Sequence, residues 1–118
     1  MIDFTVPGRP VPAVRMTQRG KWVRPEAQRY LEYKEFVGWL AKRHFSKRFM
    51  GPIKLYVEAY VDGGRPGDLD NIVKSIQDGL NGIAWQDDRQ VVEIHAKRHK
   101  GAPERVEVAV EEVEKGAS

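Results

Sequence analysis

Apolar and polar residues alternate in four stretches of the chain, and a period of two predicts half-buried strands. Ile2, Phe4 and Val6 alternate with Asp3 and Thr5 until Pro7-Gly8-Arg9-Pro10-Val11-Pro12 ends the run. The longest alternation sets Ile53, Leu55, Val57, Ala59 and Val61 against Lys54, Tyr56, Glu58 and Tyr60, which predicts a central strand. Val92, Ile94 and Ala96, then Val106, Val108 and Val110, are expected to face inward from two more strands, with Gly101-Ala102-Pro103 as the turn. Two other stretches keep helical spacing. Tyr30, Tyr33, Val37, Leu40 and His44 recur every three or four residues, so a helix is expected from Pro25 to about Arg48, its stripe widened by Leu31, Phe36, Trp39 and Phe45. Ile72, Ile76, Leu80 and Ile83 form the inward stripe of a shorter helix, which Asn81-Gly82 terminates.

The order is therefore strand, irregular arm, helix, strand, helix, strand, strand. It predicts a single α+β domain over residues 1–113, a mixed β-sheet with two helices packed mainly on one face, and a disordered tail from Glu114. So much apolar surface on the first helix points to a second contact, such as a homodimer interface. A chain of 118 residues with 41% apolar content suits one modest core, which a partner subunit would help. There is no cysteine, so thiolate metal sites are excluded. No apolar run approaches the ~18 residues of a membrane span. The N-terminus lacks the basic start and apolar core of a signal peptide, and a soluble, cytoplasmic protein is expected.

The net charge of +3 hides a division: residues 1–66 carry 13 Lys and Arg against 6 Asp and Glu, whereas residues 67–118 carry 7 against 11. A basic half joined to an acidic half fits a polyanion partner plus a metal-binding region. Arg15, Arg19, Lys21 and Arg24 surround Trp22 in ten residues, a backbone-gripping arm in which the cations neutralise phosphates and the indole stacks on an unpaired base. Trp22 and Val23 equally suit the buried face of a second short strand. Arg65 adds a cation in the Gly-rich loop that follows the central strand.

The candidate chemistry lies in Asp68-Leu69-Asp70-Asn71, at the entry to the second helix, and in Asp87-Asp88 before the next strand. An aspartate at a helix N-terminus serves as a cap, which accounts for one of the first two; adjacent carboxylates repel unless a cation joins them. Asp70 with Lys74, and Lys74 with Asp78, also have the spacing of surface ion pairs. An EF-hand loop starting at Asp68 fails, because its sixth and twelfth positions are Val73 and Gly79 instead of Gly and Glu. A phosphatase with an aspartyl nucleophile fails too, because Gly63-Gly64-Arg65-Pro66-Gly67 separates the strand from Asp68. Asp78 lies roughly 12 Å along the helix from Asp70, too far to share an ion. The segment from Gly82 to Asp88 can extend about 20 Å, enough to run back beside the helix and set Asp88 near Asp68 and Asp70. His95 and His99, about 13 Å apart on a strand, cannot share a metal. Oxygen ligands without cysteine favour Mg²⁺ or Mn²⁺.

Asp68-Leu69-Asp70-Asn71, the spaced Lys74, Asp78 and Leu80, then Trp85, Asp87-Asp88, Gln90 and Val91 resemble the RusA-type Holliday-junction resolvases, as do the Pro-rich start, the basic arm and the strand before the motif. The resemblance implies a homodimeric, Mg²⁺-dependent endonuclease that nicks opposing strands of a four-way DNA junction. By position it implies Asp68, Asp70 and Asp88 as metal-binding catalytic acids and Lys74 as the active-site cation. Gly67 departs from the family pattern, where a basic residue often precedes the first Asp. The competing expectations are a DNA-binding protein without catalysis, its aspartates serving as caps, and a nuclease for flaps or other branched DNA.

Overall fold

The computed structural model describes residues 1–16 and 24–113. Strands β1 (Ile2–Pro7), β2 (Ile53–Val61), β3 (Val91–Lys100) and β4 (Arg105–Glu112) and helices α1 (Pro25–Lys42) and α2 (Leu69–Leu80) account for most of these, with one 3-10 turn at Asp88–Gln90. The strands form one mixed sheet in the order β1-β4-β2-β3. β4 is antiparallel to both β1 and β2, whereas β3 is parallel to β2 and reached through α2. The period-two strand is indeed internal: Ile53, Leu55, Val57 and Ala59 are fully buried, in one cluster with Tyr33 and Val37 of α1 and Ile72, Ile76 and Leu80 of α2. Both helices thus cover the odd-numbered face of β2, and a domain of the expected α+β class results. None of the described helices is long and apolar enough to cross a membrane.

Two local expectations need correction. Helix α1 stops at Lys42 and does not reach Arg48, because the N–H groups of Arg43, His44 and Phe45 turn back onto the carbonyls of Leu40 and Ala41. The turn drives Phe45 into the core, edge-on to Phe4 and Phe49 at 6.4 and 5.7 Å, and leaves His44 exposed, stacked on Phe4. Gly101-Ala102-Pro103 makes the turn between β3 and β4 as expected, although β4 passes beyond β2 and pairs on its far side. Val92 and Ile94 are 63% and 44% exposed. Ile94 keeps the helix face, opposite Leu55, while a register shift pairs Val91 instead of Val92 with Ile53; β3 is the edge strand, and the helices leave Val92 and Ile94 uncovered.

The helices meet where each carries a glycine. A Cβ on Gly79 would stand 2.7 Å from Val37 Cβ and 3.0 Å from the Lys34 carbonyl oxygen, and one on Gly38 would stand 3.2 Å from the Gly79 carbonyl oxygen. Beside this crossing the Tyr30 hydroxyl donates to Asp78, and burial together with that carboxylate pushes the Tyr30 phenol well above its usual range. The Tyr33 hydroxyl is buried without a hydrogen-bond partner among the described residues.

Two substitutions test this packing in urea unfolding. Gly79→Ala forces the helices apart and is expected to cost about 1–3 kcal/mol. Tyr33→Phe removes an unsatisfied hydroxyl and should leave stability unchanged or raise it by up to about 1 kcal/mol.

Candidate active site

The loop after β2 is tied down on several sides before it delivers Asp68. Arg9 donates to the carbonyls of Gly63 and Arg65, both at 3.0 Å, and pairs with Glu104 at 2.7 Å. Arg98 donates to the Gly67 carbonyl at 3.0 Å, and a Cβ on Gly67 would meet Pro12 at 2.7 Å. The Ala13 N–H reaches the Asn71 carbonyl at 2.9 Å. Gly67 is therefore the residue that lets the Pro-rich segment close over the entry to α2.

Asp68 occupies the N-cap position of α2 with extended backbone, and its carbonyl accepts from Asn71 and Ile72. Its carboxylate makes no capping bond. Asp70 lies in the first turn, and both side chains are exposed, with no hydrogen-bond or ion-pair partner among the described residues. Lys74 is exposed too, and neither ion pair suggested by its spacing forms among the described residues; Asp78 accepts from Tyr30 instead. The helix dipole favours acids at this end. Two carboxylates this close in sequence still gain from a shared cation, and hard oxygen donors suit a divalent one.

Asp88 stands on a turn built by its neighbours. The Asp87 carboxylate accepts from the Arg89 N–H at 2.8 Å, and the Gln90 side chain accepts from the N–H groups of Gln86 and Asp87 at 2.8 and 3.0 Å. Gln90 also donates to the carbonyls of Phe49 and Gly51 at 2.8 and 3.0 Å, which joins the turn to the start of β2. Hydrogen bonds from the Arg89 side chain and N–H hold Asp87 below the usual carboxylate range. Trp85, fully buried, donates its indole N–H to Asp88 Oδ1 at 2.9 Å. Asp87 is thus a structural cap, and Asp88 a carboxylate aimed by the core, with Oδ2 unengaged among the described residues.

One expectation fails here: α2 keeps Asp88 away from Asp68 and Asp70. Asp68 follows the C-terminal end of β2, whereas Val91, just after Asp88, pairs with Ile53 at the N-terminal end. From Asp70 to Leu80 alone the helix covers about 15 Å. The chain from Gly82 to Asp87 does not run back beside the helix. The Gly82 N–H bonds the Trp85 carbonyl, and those of Ile83 and Ala84 bond Leu80, so the segment folds under the helix C-terminus and spends its length placing Trp85. Among the described residues no group of three or more acid, histidine or cysteine side chains could hold one metal ion. Two of the three acids share one end of the domain, and the third lies at the other.

Of the expected DNA-contacting residues, Arg15, Arg24 and Arg65 are exposed, Arg65 in the loop just before Asp68. Arg19, Lys21 and Trp22, the possible strand at Trp22-Val23, and the tail from Glu114 lie outside the described residues. His95 and His99 stack on Tyr56 and Tyr60 at 5.0 and 4.6 Å, on the sheet face away from the helices. Sequence inspection passed over Arg98 and Lys100, which reach the Asp68 end of the domain from β3. The signal available was the run Lys97-Arg98-His99-Lys100 at the end of a strand.

Residues 7–111 match the family model described as endodeoxyribonuclease RusA. A protein of Bacillus subtilis strain 168, named uncharacterized protein YqaN, is 29% identical over 137 residues, an alignment that covers 95% of this chain and 96% of that protein.

The Asp88 turn offers a direct test by chemical denaturation. Gln90→Ala breaks four hydrogen bonds at once and is expected to cost about 1–3 kcal/mol. Arg89→Ala removes only an exposed ion pair and should cost clearly less than Gln90→Ala.

Proposed function

The chain belongs to the RusA endodeoxyribonuclease family, and from that premise we propose a Mg²⁺-dependent resolvase of four-way (Holliday) DNA junctions, a homodimer whose two sites each draw acids from both copies. Membership makes it an endodeoxyribonuclease of branched DNA in recombination, and nucleases of this family generally depend on a divalent metal. The observation that carries the finer reading is the placement of the aspartates. Among the described residues Asp68 and Asp70 are unpaired at one end of α2, and Asp88 is held by Trp85 beyond the other. One chain cannot close a three-acid shell, whereas two copies related by a two-fold axis can set the α2 entry of each against the Asp88 turn of the other. Such an axis makes both contacts together. The exposed Val92 and Ile94, on the strand that Asp88 leads into, offer the apolar surface this contact needs.

Asp68 and Asp70, with Asp88 of the second copy, would hold the ion. Bound there, a divalent cation supplies a water of lowered pKa and neutralises charge at the phosphodiester. The protein's own part is positional. The Trp85 indole keeps Asp88 oriented, the tethered 63–67 loop fixes Asp68, and Lys74, without a carboxylate partner among the described residues, can place its ammonium on a phosphate oxygen as charge develops. Oxygen-only donors favour Mg²⁺, with Mn²⁺ as a substitute.

The first test is cleavage of a labelled four-way junction, beside a linear duplex and a flap, in Mg²⁺ or EDTA. Wild type is expected to nick the junction in symmetrical pairs. Asp70→Asn should abolish nicking yet keep binding, since losing an anion does not weaken attraction to phosphates. Preferential cutting of the flap would replace the substrate, and binding without any cut would overturn catalysis. The second test purifies heterodimers of Asp70→Asn and Asp88→Asn chains carrying different tags. Shared sites leave one intact in each heterodimer, so single nicks should return. A heterodimer as inactive as its parents would overturn the shared site.

A further inference from the structure

Four cations of the sheet and loops are neutralised within the chain. Arg9 pairs with Glu104 at 2.7 Å, Lys54 with Glu93 at 3.3 Å, Arg89 with Asp87 at 3.1 Å and Arg105 with Glu107 at 2.8 Å. Arg98 and Lys100, at the C-terminal end of β3, have no acidic partner among the described residues, and both are exposed. Register puts them together: Arg98 lies opposite Ala59 and Lys100 opposite Val61, both on the helix-bearing face and at the end of the sheet where Asp68 begins α2. His99 between them turns to the other face, where it stacks on Tyr60 and meets Glu58 at 3.0 Å.

Arg98 is also held in place. One guanidinium nitrogen donates to the carbonyl of Gly67, the residue before Asp68, and the remaining N–H groups of the planar fork stay available. Arg98 and Lys100 line a pocket of about 400 Å³ with Gly63, Gly64 and Pro66, and a Cβ at Gly63 would meet nothing within 4 Å. A backbone phosphate can therefore approach two cations there without steric obstruction. Charged side chains on an edge strand also deter sheet-to-sheet association. That role requires no tether to the loop carrying Asp68.

We propose that Arg98 and Lys100 form a phosphate-binding pair that grips the DNA strand next to the phosphodiester to be cut. The pair fits the DNA backbone and reads no base. The proposal rests on the nuclease reading of Asp68 and Asp70, but its test is binding without metal, so the two can fail separately.

The experiment measures anisotropy of a fluorescent four-way junction in EDTA across a NaCl series. Each lost phosphate contact is expected to reduce the slope of log K against log [NaCl] by about 1. Arg98→Ala and Lys100→Gln should each do so, with affinity about tenfold lower at fixed salt, and the double variant should lose about 2 from the slope. Arg98→Lys should recover most of the Arg98→Ala loss, because charge is restored. Lys54→Ala, which removes a cation paired on the opposite face, should keep the wild-type slope. Lys100 makes no hydrogen bond or ion pair among the described residues, so Lys100→Gln tests the proposal even if Arg98→Ala fails to fold. A double variant with the wild-type slope, an equal loss for Lys54→Ala, or no junction binding by wild type would each overturn it. Wild type that binds with the expected slopes yet never cuts would uphold this pair and refute the metal site instead.

Discussion

Strands β2 and β3 run parallel, and neighbouring parallel strands can be joined only by a crossover that carries the chain back along the sheet. Helix α2 is that crossover, and most of what matters about the site follows from it. Its N-terminus must lie at the C-terminal ends of both strands, where Asp68 and Asp70 begin it and Arg98 and Lys100 end β3. Its C-terminus must lie at the opposite ends, where the chain turns through Trp85 and Asp88 into β3. The same helix that positions the first two acids thus separates them from the third. Extending the 82–87 linker would not remove the separation, because β3 still has to start beside Ile53.

The crossover also explains which parts of the fold were legible in the sequence. Strand β2 is flanked on both sides and covered by helices on one face, so its alternation matches its burial at every position from Ile53 to Val61. Strand β3 has the same alternation and the same facing, but Val92 and Ile94 remain exposed, because a period of two reports which side a residue points to and carries no information about what covers it. The helical stripe from Tyr30 to His44 likewise runs past the true end of α1. Phe45 is buried as its apolar character requires, but through a tight turn at Leu40 and Ala41 that no capping glycine or proline marks. The entry to α2 was legible for the opposite reason: Asp68 stands where a glycine- and proline-rich loop must give way to an apolar period of four.

The five aspartates between positions 68 and 88 look alike in sequence and differ in what they touch. Asp78 accepts from Tyr30, and Asp87 caps its turn and pairs with Arg89. Those bonds satisfy the two carboxylates and identify them as structural. Asp88 is half satisfied, by one indole N–H. Asp68 is the informative case, since it occupies the position where an aspartate ordinarily caps a helix and leaves the bond unmade. A cap costs nothing when the geometry already permits it. A carboxylate that forgoes it beside a second acid has its lone pairs available for a ligand, and the reach estimate from the 82–88 linker could not reveal this, because it counted chain length and left side-chain partners out.

The cations divide in the same way, which ties charge distribution to the direction of DNA approach. Arg9, Lys54, Arg89 and Arg105 are neutralised within the chain, so these four add little to the attraction for phosphate. Arg65, Lys74, Arg98 and Lys100 belong to the end of the sheet where α2 begins, and none has an acidic partner among the described residues. A polyanion drawn there meets two like-charged carboxylates, Asp68 and Asp70. Without an ion, those acids oppose the phosphate that the surrounding cations attract. On the proposed reading, a divalent ion between them would reverse the local charge, and the same cations and acids would act together on one phosphodiester. On that reading, the placement at one end of α2 of groups of both signs that are unpaired among the described residues would couple metal binding to the seating of DNA.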